Sequence, residues 1–165
     1  MRAGRLVRVW AAPVLLVALQ FSVRNRLGAD RVAPDFLLLA LLIYTIRARP
    51  GASAAAGFLI GVLGDALTPA SFGAGALAHT VVGYLSSRAK SVFFAENILV
   101  NGGLFFAATW LRNFIVALAS GKLGGPQLMW ELLVWSPLEG LTTAATGVLM
   151  LVLFRPWLAI RMGER

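Results

Sequence analysis

Cysteine is absent from the 165 residues, which excludes disulfides, thiol chemistry and cysteine metal sites. Histidine occurs once, as His79. One imidazole without a second ligand cluster makes no metal site, and a proton relay through it is the weaker reading left. Charge is scarce: 13% of the chain is Asp, Glu, Lys or Arg, against about a quarter in a typical soluble domain. The many glycines include no G-x-x-x-x-G-K-[ST] loop, so no nucleotide-binding motif is recognisable. Ser86, Ser87 and Ser136 have no histidine–carboxylate pairing at a workable spacing, which leaves hydrolase chemistry without support. These absences point away from an enzyme and imply no cofactor.

What is present is apolar. Hydrophobic residues make up 59% of the chain and the mean hydropathy is +0.80. Long apolar stretches broken by short basic ones indicate an all-α polytopic membrane protein. The chain reads as one integral membrane domain over residues 1–165, with no room for a soluble one. The net charge of +8, from 15 Lys and Arg against 7 Asp and Glu, sits mainly between apolar segments. Membrane topology and anionic lipid therefore explain it better than nucleic acid does. The first apolar run has a basic start but no small-residue cleavage pattern, and reads as an uncleaved crossing.

Six helices are expected, at about 6–23, 32–46, 52–67, 72–85, 92–119 and 127–154. The middle three are short for a hydrocarbon core that takes about 20 residues to span. Fusing 52–85 into one helix is opposed by Pro69, with Thr68, Ser71 and Gly73 around it, so Thr68–Phe72 reads as a tight turn. Lys and Arg set the orientation. With the N-terminus inside, the inner segments hold Arg2, Arg5, Arg8, Arg47, Arg49, Arg88, Lys90, Arg155, Arg161 and Arg165. The outer ones hold Arg24, Arg26, Arg31 and Lys122. This bias predicts both termini in the cytoplasm, although the first outer loop, RNRLGADR, is basic for its side.

On this topology Asp65, set in the apolar run GFLIGVLGDALTPASFGAGALAHTVVGYL, precedes an outer turn. It is expected near the outer surface and not at mid-membrane. Asp35 opens the second helix from the same side, behind Pro34 and four residues after a possible partner, Arg31. Either both carboxylates are solvated helix ends, or they form a shared polar contact surface. Ala54, Gly57, Gly61 and Gly64 make a small-residue stripe on the third helix. Gly73, Ala76, Thr80, Gly83 and Ser87 make a similar one on the fourth. The stripes pack on each other, or one of them meets another protein's helix.

Ionisable residues inside the apolar segments call for a role. The fifth helix carries Glu96, Asn97, Asn101, Arg112 and Asn113, and the sixth carries Glu131 and Glu139. If the two run antiparallel about a loop near Leu123, Arg112 lies about 4–5 Å along the axis from Glu131 and about 7–8 Å from Glu139. It can reach either as an interhelical ion pair; a polar cavity or partner contact is the alternative. Pro137 should kink the sixth helix and free a carbonyl there.

PDFLLLALLIY (Pro34–Tyr44), a basic turn, and then Gly57–Leu85 resemble the bacterial rod shape-determining membrane protein family MreD. The matching positions are Pro34, Asp35, Gly57, Phe58, Gly61, Asp65, Gly73, Ala76, Leu77, Tyr84 and Leu85. The resemblance implies a non-enzymatic inner-membrane scaffold of the cell-elongation machinery, helping to regulate peptidoglycan synthesis and cell shape. Its implied partner is MreC, and through that complex RodA, a class B penicillin-binding protein and the actin-like cytoskeleton. It also implies a fold similar to the substrate-binding subunits of energy-coupling-factor transporters. That likeness supplies the alternative function, a small-molecule-binding membrane subunit of a transporter. Pro34, Asp35, Gly57, Gly61, Gly64, Asp65, Gly73, Leu77, Gly83 and Tyr84 are the candidate partner or packing surface. Glu96, Asn101, Arg112, Glu131 and Glu139 are the candidate intramembrane polar network. Whether two copies associate is left open.

Overall fold

A computed structural model of the chain describes residues 14–22, 32–66, 71–89, 98–121 and 126–158, with the backbone alone for 126–127 and 154–158. Helix α1 covers 14–22. Helix α2, Phe36–Thr45, starts where the Asp35 carboxylate accepts the Leu38 N–H. It ends in a turn in which the Tyr44 carbonyl accepts the N–H groups of Arg47 and Ala48. Arg49 is extended (φ −78°, ψ 156°) because a proline follows, and Pro50 then opens α3, Pro50–Asp65. Helix α4, Ala74–Arg88, follows Gly73, whose φ of 95° suits a residue without Cβ. Helix α5 is Ile98–Ala119, closed by Gly121 at φ 68°. A last helical stretch comprises α6, Pro126–Trp130, a π-helical turn, Glu131–Trp135, and α7, Ser136–Leu158.

Of the expected helices, 6–13 of the first and 92–97 of the fifth lie outside the described residues. The second begins at Phe36 and not at 32, because Pro34 and Asp35 form its cap. Of the expected turn at Thr68–Phe72, residues 68–70 lie outside the described residues, and Ser71–Gly73 do turn.

Helix α2 is the centre of the molecule. It is apolar on every side, and Leu38, Leu39, Ala40, Leu41 and Leu42 have no exposed surface, as expected of a helix without a polar face. Its 10 residues give about 15 Å of length, half a hydrocarbon thickness of about 30 Å. Its neighbours enclose it: α3 and α4 form one closely packed hairpin, and α5 pairs with α7. Leu16, Phe105, Val82 and Ala144 bring α1, α5, α4 and α7 into the same core. The α5 helix and the stretch Leu128–Leu153 are each long and apolar enough to cross a membrane.

The break before Pro137 has a local cause. A proline cannot donate to the carbonyl four residues back and its ring crowds that carbonyl. The helix widens first: the Ser136 N–H bonds to the Glu131 carbonyl, five residues back. This bypasses the Leu132 carbonyl, which instead accepts the Trp110 indole N–H of α5 at 3.3 Å.

Candidate functional site

Asp65 lies at the C-terminus of α3, where the helix dipole disfavours a carboxylate. It is nonetheless 4% exposed, because it serves the next helix. Its Oδ2 accepts the N–H groups of Gly73 and Ala76, each at 2.9 Å. Its Oδ1 accepts that of Gly75 at 3.0 Å. Gly73 occupies the N-cap of α4 and has no side chain to offer, so Asp65 caps α4 from eight residues upstream.

Asp35 is the second buried carboxylate, at 1% exposure. Its Oδ1 accepts the Leu38 N–H at 2.9 Å, and its own N–H donates to Thr143 Oγ1 of α7 at 3.0 Å. The following N–H, of Phe36, donates to Gln20 Oε1 of α1 at 3.2 Å. Asp35 Oδ2 faces Arg112 Nε of α5 at 3.5 Å and His79 Nε2 of α4 at 3.9 Å. The His79 Nδ1 lies 2.9 Å from the Gly75 carbonyl. A carbonyl only accepts, so Nδ1 carries the proton of that bond and Nε2 is the atom turned to the carboxylate.

Arg112 continues the cluster into α7. Its Nη1 donates to Asn113 Oδ1 at 2.6 Å and lies 3.9 Å from Glu139 Oε1. The Asn113 amide nitrogen donates to Glu139 Oε2 at 2.8 Å and to Ser136 Oγ at 3.0 Å. Asp35, His79, Arg112, Asn113, Ser136, Glu139 and Thr143 thus join α2, α4, α5 and α7 at one point. A cavity of about 180 Å³ opens beside it, lined in part by Asn113, Glu131, Ser136 and Glu139. One guanidinium between two carboxylates is an arrangement for pairing charge across helices in a low dielectric, where an unpartnered charge is costly.

The expectation that Asp35 and Asp65 are solvated ends or a contact surface is therefore corrected: both are buried caps, held by backbone donors that apolar surroundings would otherwise leave unbonded. Asp35 meets Arg112; Arg31 lies outside the described residues. The third-helix stripe divides. A Cβ on Gly57 would run into the His79 carbonyl, and one on Gly61 into the Gly75 carbonyl and Ala76 backbone. Gly64 instead faces Leu37 of α2, and Gly83 faces the Ser53 carbonyl. Gly73 has nothing within contact range of a Cβ and is corrected from a packing position to the left-handed residue of the cap. Gly75, beside the Asp65 carboxylate, makes the close approach instead. Leu77 and Tyr84 are exposed and Pro34 is half-buried.

Of the expected polar network, Arg112 and Glu139 come together. Glu131 is exposed on the π turn, whereas Arg112 lies against Asp35 and Glu139. Asn101 is buried about three helical turns away on α5, and Glu96 lies outside the described residues. Sequence reasoning passed over His79 as a member of the site. The signal was there: a lone imidazole inside an apolar helix needs a polar neighbour.

A family model described as rod shape-determining protein MreD matches residues 4–162. No curated protein and no solved structure matches the chain.

Proposed function

The chain belongs to the rod shape-determining protein MreD family, and on that premise we propose that it is a non-enzymatic inner-membrane scaffold of the cell-elongation complex. It crosses the membrane six times with both termini in the cytoplasm. It binds MreC, and through MreC connects RodA, a class B penicillin-binding protein and the actin-like cytoskeleton to peptidoglycan synthesis. The single observation that carries this reading is the family match over nearly the whole chain. The geometry supports it: the buried ionic groups are engaged in joining helices, which suits a rigid platform.

Depletion in the native host, followed by imaging, tests the reading. Cells are expected to lose their elongated shape and to recover it on re-expression, and the protein is expected to co-purify with MreC. Normal shape with a nutrient requirement would overturn it. That outcome would favour a transporter subunit, the reading to which the polar cavity beside Glu139 lends support, and ligand-dependent thermal stabilisation would then follow.

A further inference from the structure

Helix α3 has two different faces. Ser53, Gly57 and Gly61 are buried against α4, whereas Ala52, Ala55 and Leu59 are exposed. The outward face forms one wall of a groove completed by Val17 of α1 and by Ala40 and Tyr44 of α2. The cavity measures about 540 Å³, within the range of about 300–1,000 Å³ over which pockets bury small ligands. Its lining is hydrocarbon apart from Tyr44. At one mouth the character changes. Tyr44 is bonded through its carbonyl to the N–H of Arg47 at 3.2 Å, and Ala52 stands in the first turn of α3, just after Arg49. Both arginines are exposed. The loop that carries them is fixed from α4, where the Ser87 hydroxyl donates to the Ala48 carbonyl at 2.9 Å.

We propose that this groove holds one anionic phospholipid, with an acyl chain along the Ala55–Ala56–Leu59 wall of α3 and its phosphate toward the loop that carries Arg47 and Arg49. An apolar slot, two of whose lining residues, Tyr44 and Ala52, are joined by a loop carrying two exposed arginines, matches a molecule that is hydrocarbon at one end and negatively charged at the other. The apolar span of a partner helix offers no such charge. On the topology proposed above, the arginine loop lies on the cytoplasmic side, where anionic lipids concentrate and attract basic residues next to the membrane.

Native mass spectrometry on the full chain, released from nanodiscs holding equal phosphatidylglycerol and phosphatidylcholine, tests the inference. One phosphatidylglycerol should be retained in preference to phosphatidylcholine by about fivefold or more, the size of one surface arginine's attraction to anionic lipid. R47Q/R49Q should abolish the preference. Both residues are exposed, and helicity and melting temperature check that this variant keeps the fold. Ala56→Trp fills the groove and should lower retention of both lipids, with helicity and melting temperature confirming that the fold survives. Equal retention of the two lipids overturns the inference. So does unchanged retention in Ala56→Trp, or loss of MreC co-purification in that variant without loss of lipid, which would make the groove a helix-docking site. A reporter fused after Arg49 that reads periplasmic, with lipid retention intact, overturns the leaflet assignment alone and leaves the groove's occupant in place.

Discussion

Asp65 shows how one side chain can settle the geometry of two helices. Its carboxylate answers three backbone donors of α4, so Asp65→Ala strands them in apolar surroundings. A buried donor left without an acceptor costs about 1–3 kcal/mol, and a marked fall in melting temperature in detergent is expected. Asp65→Asn keeps one acceptor oxygen and should fall between wild type and Asp65→Ala. Equal losses in the two variants would show that charge, and not hydrogen bonding, makes the contribution. Arg112 lies between two carboxylates, so Arg112→Leu leaves both uncompensated, at a cost of about 3–5 kcal/mol for a broken buried pair. Because Asp35 remains, Arg112→Leu with Glu139→Leu should recover only part of the protein level. Adding Asp35→Asn, which can still cap Leu38, should recover more. Full recovery in the double variant would mean that Arg112 does not compensate Asp35.

Helices α3 and α4 lie as close as they do because glycine leaves room for backbone against backbone. Gly61→Ala already places a Cβ inside the Gly75 carbonyl and Ala76 backbone, neither of which is a flexible side-chain end. The expected cost is about 1–3 kcal/mol, typical of overpacking. Gly64→Ala should be milder, since its neighbour is the Leu37 side chain at 3.2 Å. Gly103, within α5, has nothing in contact range of a Cβ, and Gly103→Ala should stabilise by about 0.5–1 kcal/mol through helix propensity. Melting temperatures of the three variants check the order. Gly61→Ala matching Gly103→Ala would mean that the hairpin is looser than the structure has it. The π turn is a second device at this scale. It lets Pro137 sit inside the last helical stretch while Trp110 answers the carbonyl that the wider turn bypasses.

For the whole molecule, the short central α2 means that the core is built like that of a soluble protein, with the longer helices around it. Reporter fusions after Arg49, after Lys90 and at Arg165 should read cytoplasmic, and fusions at Leu27, at Pro69 and after Lys122 periplasmic. A cytoplasmic signal at Pro69 would overturn the six-crossing topology and with it the placement of Asp65 toward the outer side. The pinning of α2 by Gln20, Thr143, Arg112 and His79 also makes its N-terminus the point where mutations in four different helices should couple. Double-mutant cycles between Thr143→Val and Gln20→Leu should therefore depart from additivity by about 0.5 kcal/mol or more.

The helical character and the small-residue spacing that lets Gly57 and Gly61 come close to α4 were legible in the sequence. They depend on hydropathy, proline and residue size within a few turns of chain, and the family pattern around Pro34–Leu85 is a local signal too. The partners of the charges were not legible. Asp65 reads locally as a helix-end carboxylate, and only the reversal of the chain after α3 turns the N–H groups of α4 onto it. Arg112 was within reach of Glu139 by helix register alone, but Asp35 reaches Arg112, and His79 reaches Asp35, through the packing of α2, α4 and α5. Thr143, which holds the Asp35 N–H, is 108 positions away in the chain. Register along one helix pair is a one-dimensional quantity that spacing supplies. Which carboxylate faces which cation across four helices depends on how those helices rotate about a buried α2, and that is decided by packing in three dimensions.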